Sequence, residues 1–216
     1  MTEKLLNAIG KAYPLIEKDV GNFKTLKASG MKFSIRAFEA GGLGSVSVMR
    51  AAGFFGLMKM DTLIITPTKI DMPLLSYDRV LAMGNDTLIY ELYDTYAEKT
   101  DLSAVAEVKA EHAALPDHDL GEHWYDSIKL SESISKKGKK LHSVAFDVLT
   151  NHYMEAYLAD CAKAAPCDEA VKRKKASVYV EGLLSNGGPS TDVFKKALGE
   201  EITAELFRKV LFGTQI

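Results

Sequence analysis

The sequence predicts an α+β fold in which helices pack on the faces of an antiparallel sheet. Segments with strand-like alternation of apolar and polar residues fill the first half of the chain. Short turns join these segments, whereas parallel strands would need long crossover connections. The second half instead repeats its apolar residues at helical spacing.

The first half begins with a helix and continues with strands. Residues 2–12 place Leu5, Leu6 and Ile9 on one helical face, and Pro14 ends that helix. Strand signals then follow, separated by Gly-rich and Asn/Asp-containing turns. We predict strands at residues 31–39, from 45 onward, and at 57–66, 74–83 and 87–94, with turns at 41–44 and 84–86.

The second half is predicted to be mainly helical. A helix over 102–114 and a loop over 115–122 precede one further strand at 123–131. A long helix follows from about 141 until Pro166, and another runs to about 184. Two short helices close the chain after a break at residues 185–189.

Composition limits the possible partners and compartments. The 216 residues have a formal charge of −2, so no global basic field favours nucleic acid. Cys161 and Cys167 match no zinc or disulfide pattern, and no apolar run has the length of a membrane span. We expect one domain over residues 1–216, cytoplasmic and monomeric, without a membrane or nucleic-acid partner.

Familiar catalytic motifs are missing. The run 41–45 contains three glycines, but its pattern is not that of a dinucleotide-binding loop and a strand follows it. His112, His118 and His123 are spaced by six and five residues, which places no two of them on one helical face. We therefore predict no metal site.

Asp78 is the most informative single residue. It lies within a predicted strand, where Asp is disfavoured, and shares a face with Leu74, Ser76 and Val80. If that face is inward, desolvation raises the pKa of the carboxyl and makes it a proton donor near neutral pH. The alternatives are an edge strand with Asp78 in water, or a structural pair with a basic neighbour.

Several motifs, in order, resemble the ferredoxin-dependent bilin reductases. Asp71-x-Pro73 followed by Asp78 is similar to their catalytic segment. The resemblance covers residues 31–213 and also includes the segments 63–67, 124–131, Tyr179, 186–189, 197–200 and 210–212. The red chlorophyll catabolite reductases share the fold of that family.

The resemblance implies a three-layer α/β/α sandwich with a pocket between the sheet and the C-terminal helices. Members reduce linear tetrapyrroles with electrons from ferredoxin and hold no flavin, nicotinamide or metal. Asp78 corresponds to their catalytic aspartate, which would protonate the bound bilin before the electron arrives. We expect no bound cofactor here, with ferredoxin or flavodoxin as the external donor.

Other candidate residues follow from this resemblance and from their chemistry. Where part of the family has a histidine, Asp61 or Thr62 stands here, so Asp61 is a candidate second acid or an exposed residue. Gly188 replaces an acid before the last proline, while Asn186 could hydrogen-bond a pyrrole or lactam. The remaining candidates are basic: Arg50 and Arg79 for substrate propionates, and Lys136, Lys137, Lys139 and Lys140 for ferredoxin docking.

Three functions remain open at this point, one of which is reduction of a cyclic tetrapyrrole or of an unrelated substrate on the same scaffold. The first is reduction of a linear tetrapyrrole, with Asp78 as the proton donor. The second is a non-catalytic tetrapyrrole carrier that kept the pocket, which the missing histidine and the missing C-terminal acid favour.

Overall fold

The computed structural model describes residues 1–215, without the side chain of Pro189, and confirms the α+β fold. Its helices are α1 (Thr2–Ala12), α2 (Ser103–Glu111), α3 (Ser143–Cys161), α4 (Glu169–Asn186), α5 (Pro189–Leu198) and α6 (Glu200–Glu205), the last continued by a π-helical segment, Leu206–Leu211. Its strands are β1 (Leu15–Lys18), β2 (Thr25–Ala28), β3 (Met31–Ala40), β4 (Gly44–Gly53), β5 (Met58–Pro67), β6 (Leu74–Ala82), β7 (Asn85–Tyr93) and β8 (Ile134–Lys139).

These strands form one antiparallel sheet in the order β1-β3-β4-β5-β6-β7-β8, and β2 pairs with the other half of β3. Neighbours from β3 to β7 are also neighbours in sequence, as the short connections predict. The exception is β8, which returns to the edge beside β7 only after α2 and a long loop.

Helices cover both faces of the sheet, because each strand alternates its side chains between two apolar cores. Tyr77 and Tyr90 point into the core beneath α1, α2 and α3. Ile64 and Tyr93 point into the second core, beneath α4, α5 and the C-terminal segment. Each fully buried side chain of this size contributes roughly 1.5–3 kcal/mol through the removal of apolar surface from water. The result is a three-layer sandwich.

The six predicted helices are confirmed, with shifts at their ends. α2 stops at Glu111, three residues earlier than predicted, and α3 begins at Ser143. Asp168 begins α4 with a carboxylate that accepts the N–H of Val171. None of the helices formed by residues 1–215 has the length and apolar character that crossing a membrane requires.

The strand predicted at 123–131 is wrong. Residues Trp124–Ile128 form a 3₁₀ helix, whose start is fixed by the His123 N–H donating to the Asp126 carboxylate over 2.7 Å. The Trp124 side chain then packs against Gly182 of α4 instead of joining a strand ladder. The eighth strand is the following segment, β8, whose run of lysines hid its alternation.

Two further differences concern the turns and the edge of the sheet. The β6–β7 turn is Met83-Gly84, both with positive φ (51° and 76°), so Asn85 and Asp86 belong to β7. The strands β1 and β2 were not predicted because each has only four residues, of which three in β1 and two in β2 are exposed.

Candidate active site

A cavity of about 230 Å³ lies between the sheet and the helical layer formed by α4, α5 and the C-terminal segment. It is partly open to solvent, and most of its lining is apolar. Larger depressions exist, up to about 650 Å³, but they lie elsewhere on the molecule, away from Asp78. The polar residues that line the cavity are Thr62, Ser76, Asp78, Glu91, His123, Ser190 and Thr191.

Asp78 faces this cavity from the middle of β6. Its direct cross-strand neighbour is Thr62 of β5, whose hydroxyl donates to Asp78 Oδ1 over 2.5 Å. Burial raises the pKa of Asp78 from 3.8 to about 6, and the nearby Glu91 carboxylate adds to the rise. Hydrogen bonds from Thr62 and Ser76 act in the opposite direction. The carboxyl therefore exchanges a proton close to neutral pH while facing a mainly apolar space.

Glu91 is a second carboxyl in the same cavity, and the sequence did not point to it. It pairs with Ser76 across β6 and β7, so it lies diagonal to Asp78 on the same face. One oxygen accepts the Tyr93 hydroxyl over 2.6 Å. The other, Oε1, has no hydrogen-bond partner among residues 1–215, and the Lys129 ammonium is 3.9 Å away. This buried oxygen is free to meet a donor on a ligand.

Aromatic rings form one wall of the cavity. Tyr179 of α4 stacks on Tyr93 with a centroid distance of 4.2 Å, and Tyr125 meets Tyr93 edge-on at 5.6 Å. His123 stacks on Tyr125 at 4.9 Å, and its buried Nδ1 has no hydrogen-bond partner within the described residues. Burial raises the pKa of Tyr93 and Tyr179 well above 10, so both stay neutral donors. Such a wall suits a flat, conjugated ligand.

Among the described residues that line the cavity, none is a lysine or an arginine. A ligand carboxylate inside it would therefore lack a cationic partner and would face Asp78 and Glu91. A ligand with acidic side chains fits only if those groups point toward the open side.

The structure places three predicted site residues on the other face of the sheet. Arg50, Asp61 and Arg79 are direct cross-strand neighbours on β4, β5 and β6, one position out of phase with Thr62 and Asp78. The Asp61 carboxylate accepts from Arg50 Nε over 3.2 Å and binds the N-terminal ammonium at 3.4 Å. Asp61 and Arg50 are thus engaged with each other away from the cavity.

Arg79 is a buried structural residue, which corrects its assignment to substrate propionates. Its guanidinium forms a two-pronged pair with the fully buried Asp86 of β7. It also donates to the Thr150 hydroxyl and the Ser143 carbonyl oxygen of α3, each over 3.3 Å. Removal of either partner would leave an uncompensated buried charge.

Asn186 is also outside the cavity. It is the exposed last residue of α4, although Gly188 and Ser190 just beyond it do line the space. The segment is held by the Trp124 indole N–H, which donates to the Gly187 carbonyl oxygen over 3.1 Å. Of the predicted site residues, the structure brings only Asp78 and Thr62 together in the cavity.

The predicted docking lysines divide into two groups. Lys136 is buried, and its ammonium donates to the Leu115 carbonyl oxygen (2.9 Å) and Asp117 (2.7 Å), so it cannot contact a partner. Lys137, Lys139 and Lys140 are exposed. Lys137 pairs with Thr87 of β7, which places it on the cavity face of the sheet.

No family model and no curated protein matches this chain. One solved structure that resembles it is phytochromobilin synthase from tomato in complex with biliverdin. The TM-score is 0.78 at 15% sequence identity, and the match covers 99% of this chain and 82% of that one. The two proteins share a fold, as the sequence motifs led us to expect.

Proposed function

We propose that this protein binds a linear tetrapyrrole in the cavity and reduces it with electrons from ferredoxin or flavodoxin. The observation that carries the proposal is the Asp78 carboxyl, with a pKa of about 6, facing an aromatic-walled cavity. The fold supports it, because the tomato synthase that shares it was crystallised with biliverdin. The motifs around Asp71, Pro73 and Asp78 support it independently.

The proposed chemistry alternates protons and electrons. Reduction of one double bond consumes two electrons and two protons. Asp78 gives the first proton, so the first electron enters a cation instead of a neutral π-system. The carboxylate that remains is then reprotonated from solvent through the open side of the cavity, and this supplies the second proton. Glu91 assists by raising the pKa of Asp78.

The size of the cavity determines how the ligand would lie. At about 230 Å³ it is smaller than the roughly 300–1,000 Å³ typical of small-molecule sites. We expect part of the tetrapyrrole to insert beside Asp78, with the remainder and the propionates at the open side. This orientation also agrees with the lining, which holds no lysine or arginine among the described residues.

A non-catalytic tetrapyrrole carrier is the second candidate. Asp61 or Thr62 stands where part of the resembling family has a histidine, and Gly188 stands where many members have an acid. We favour reduction because Asp78 is accompanied by Glu91, a second carboxyl in the same cavity. Binding of biliverdin without any turnover would establish the carrier instead.

An absorbance titration followed by an electron-donor assay tests the proposal. The protein is mixed with biliverdin under anaerobic conditions, and reduced ferredoxin is then regenerated enzymatically. We expect a shifted biliverdin band and then its conversion. Asp78→Asn should keep the shift and slow conversion by about 100-fold or more, because a positioned general acid contributes roughly 10²–10⁴-fold.

Asp61→Asn is the matched control. It makes the same chemical change one residue away from Thr62, on the opposite face of the sheet. Conversion should continue at close to the wild-type rate in this variant. Equal losses in the two variants would refute the role of Asp78, and the absence of any spectral shift would refute tetrapyrrole binding.

A further inference from the structure

Two histidines that are 40 residues apart in sequence meet between α2 and α3. His112 is the residue that follows α2, and His152 is in the middle of α3. Their ring nitrogens Nε2 and Nδ1 are 3.3 Å apart. A carboxylate oxygen of Glu111 completes the group, with all three ligand atoms within 4.8 Å of one another. This cluster is on the other side of the sheet from the cavity.

We propose that Glu111, His112 and His152 bind a zinc ion that joins the end of α2 to α3. This proposal does not depend on the function proposed for the cavity. Sequence spacing alone excluded a metal because it compared His112 with His118 and His123, whereas the partner comes from a different helix.

The distance between the two nitrogens fits a tetrahedral zinc site. Zinc–nitrogen bonds are about 2.0–2.1 Å long, so two imidazoles on a tetrahedral ion lie about 3.3–3.4 Å apart. The observed 3.3 Å separation agrees with this value. Without an ion, the same separation lets one ring donate a hydrogen bond to the other.

The ligand atoms and their surroundings also favour Zn²⁺, a cation that is intermediate between hard and soft. Two imidazoles and one carboxylate suit Zn²⁺, whereas Mg²⁺ and Ca²⁺ prefer all-oxygen sites. The negative end of the α2 dipole lies at His112, where a cation is stabilised.

Glu111 and His152 are exposed and His112 is half-buried, so an ion can reach the site. Glu111 needs to move closer to the two nitrogens, and its exposed side chain can rotate to do so. Three protein ligands leave a fourth position for water. The ion would fix the point where the chain leaves α2 for the loop that carries Leu120 and His123 to the cavity.

Metal titration of untagged protein tests the proposal directly. Zn²⁺ binding is measured by competition with a chromophoric chelator, and Co²⁺ binding by its visible absorption, which reports coordination geometry. We expect one ion per chain and a tetrahedral Co²⁺ spectrum. His112→Ala and His152→Ala should each weaken Zn²⁺ binding by more than about tenfold, since even outer partners of a metal site contribute 10–100-fold.

His118→Ala is the control, because His118 is outside the cluster; it should bind Zn²⁺ like the wild type. A thermal unfolding series gives a second readout: Zn²⁺ should raise the Tm of the wild type and of His118→Ala, but not of His112→Ala/His152→Ala. The proposal is overturned if wild-type protein shows no saturable binding, or if the double variant binds with unchanged stoichiometry and affinity.

Discussion

At the scale of single residues, the proposed reduction depends on the environment of Asp78. A carboxyl on a strand keeps its usual pKa when it faces water, and the sequence left that alternative open. Here the same residue faces a cavity walled by Tyr93 and Tyr179, with Thr62 holding one of its oxygens. Its raised pKa is therefore a consequence of burial first and of its neighbour Glu91 second.

This shift predicts a pH-dependent stability difference between wild type and Asp78→Asn. Because the pKa of Asp78 is higher in the folded state (about 6) than its ordinary 3.8, the folded protein binds the proton more tightly. The protonated Asp78 carboxyl therefore contributes to the stability of the folded state below pH 3.8, and this contribution is lost as the pH rises to 6. The Asn side chain of Asp78→Asn is never charged. The free energy of unfolding of this variant should therefore increase relative to that of the wild type between pH 3.8 and 6, by at most about 3 kcal/mol.

Urea unfolding at several pH values from 4 to 8 measures this difference. Thr62→Val provides a second test. The variant lacks the hydroxyl that donates to the Asp78 carboxylate, and loss of this hydrogen bond raises the pKa of Asp78 further. The window of lost stability should then extend to higher pH. A difference between wild type and Asp78→Asn that stays constant from pH 4 to 8 would contradict the assignment.

Glu91→Gln should change how turnover depends on pH. Removal of the Glu91 charge lowers the pKa of Asp78, although burial keeps it above 3.8. Since the general acid must be protonated, the alkaline limb of the pH–rate profile should move to lower pH. Glu181→Gln, at an exposed ion pair with Arg208, is the control and should leave the profile in place. If the alkaline limb of the pH–rate profile is unchanged in Glu91→Gln, Glu91 does not influence the protonation of the general acid.

At the scale of secondary-structure elements, the two-residue period of strands separates the predicted site residues that line the cavity from those on the other face of the sheet. Thr62 and Asp78 are cross-strand neighbours, so Arg50, Asp61 and Arg79 had to lie on the opposite face. Pairing the predicted strands in register would have excluded those three from the cavity. The sequence did not indicate Glu91 because the predicted turn between β6 and β7 gave a different strand register.

The turn between β6 and β7 sets that register. With the turn at Met83-Gly84, Ala82 pairs with Asn85, Asp78 with Ile89 and Ser76 with Glu91. The sequence favoured 84–86, because Asn and Asp are common turn residues. That choice shifts the pairing and hides the fact that Glu91 lies diagonal to Asp78 on the same face of the sheet. His123 was missed because its segment was predicted as a strand.

The packing of α4 on the cavity wall gives a prediction at this scale. A Cβ atom at Gly182 would lie 2.2 Å from Trp124 Cη2, so Gly182→Ala forces the indole to move. Overpacking typically costs roughly 1–3 kcal/mol, and the better helix propensity of Ala offsets up to about 1 kcal/mol. We expect a net loss of about 1–2 kcal/mol in the free energy of unfolding, measured by urea denaturation.

Gly10→Ala in α1 is the matched control for this change. A Cβ there would be 3.6 Å from Leu15 Cδ1, an ordinary contact. Because nothing needs to move, Gly10→Ala should stabilise the protein by about 0.5–1 kcal/mol through helix propensity. Equal effects at the two positions would mean that the indole does not limit the packing at Gly182.

At the scale of the whole molecule, the sequence predicted the layers but not the lateral return of β8. Turn lengths were enough to establish an antiparallel sheet, and helical periodicity was enough to place helices on it. The edge depends on distant contacts, such as Lys136 reaching Asp117, which no local pattern encodes. For that reason the sequence predicted the four lysines as one exposed cluster. In the fold, Lys136 is buried and the other three are exposed.

The exposed members predict how a ferredoxin donor would dock. Lys137 and Lys139 are two residues apart on β8 and therefore lie on the same face, the cavity face that Lys137 shares with Thr87, so an acidic donor bound there would approach the ligand. Charge reversal in Lys137→Glu/Lys139→Glu should raise the KM for ferredoxin by about tenfold and flatten its dependence on salt. Steady-state kinetics over a range of ionic strength measure both effects.

The control must change the net charge equally without touching that edge. Lys11 at the end of α1 and Lys59 on β5 are exposed and belong to the opposite side of the sheet, where Asp61 lies. Lys11→Glu/Lys59→Glu should leave the KM nearly unchanged, because screening limits the reach of an exposed charge to about 10 Å at 0.1 M salt. If both double variants raise the KM alike, the effect comes from net charge, and the donor does not dock at β8.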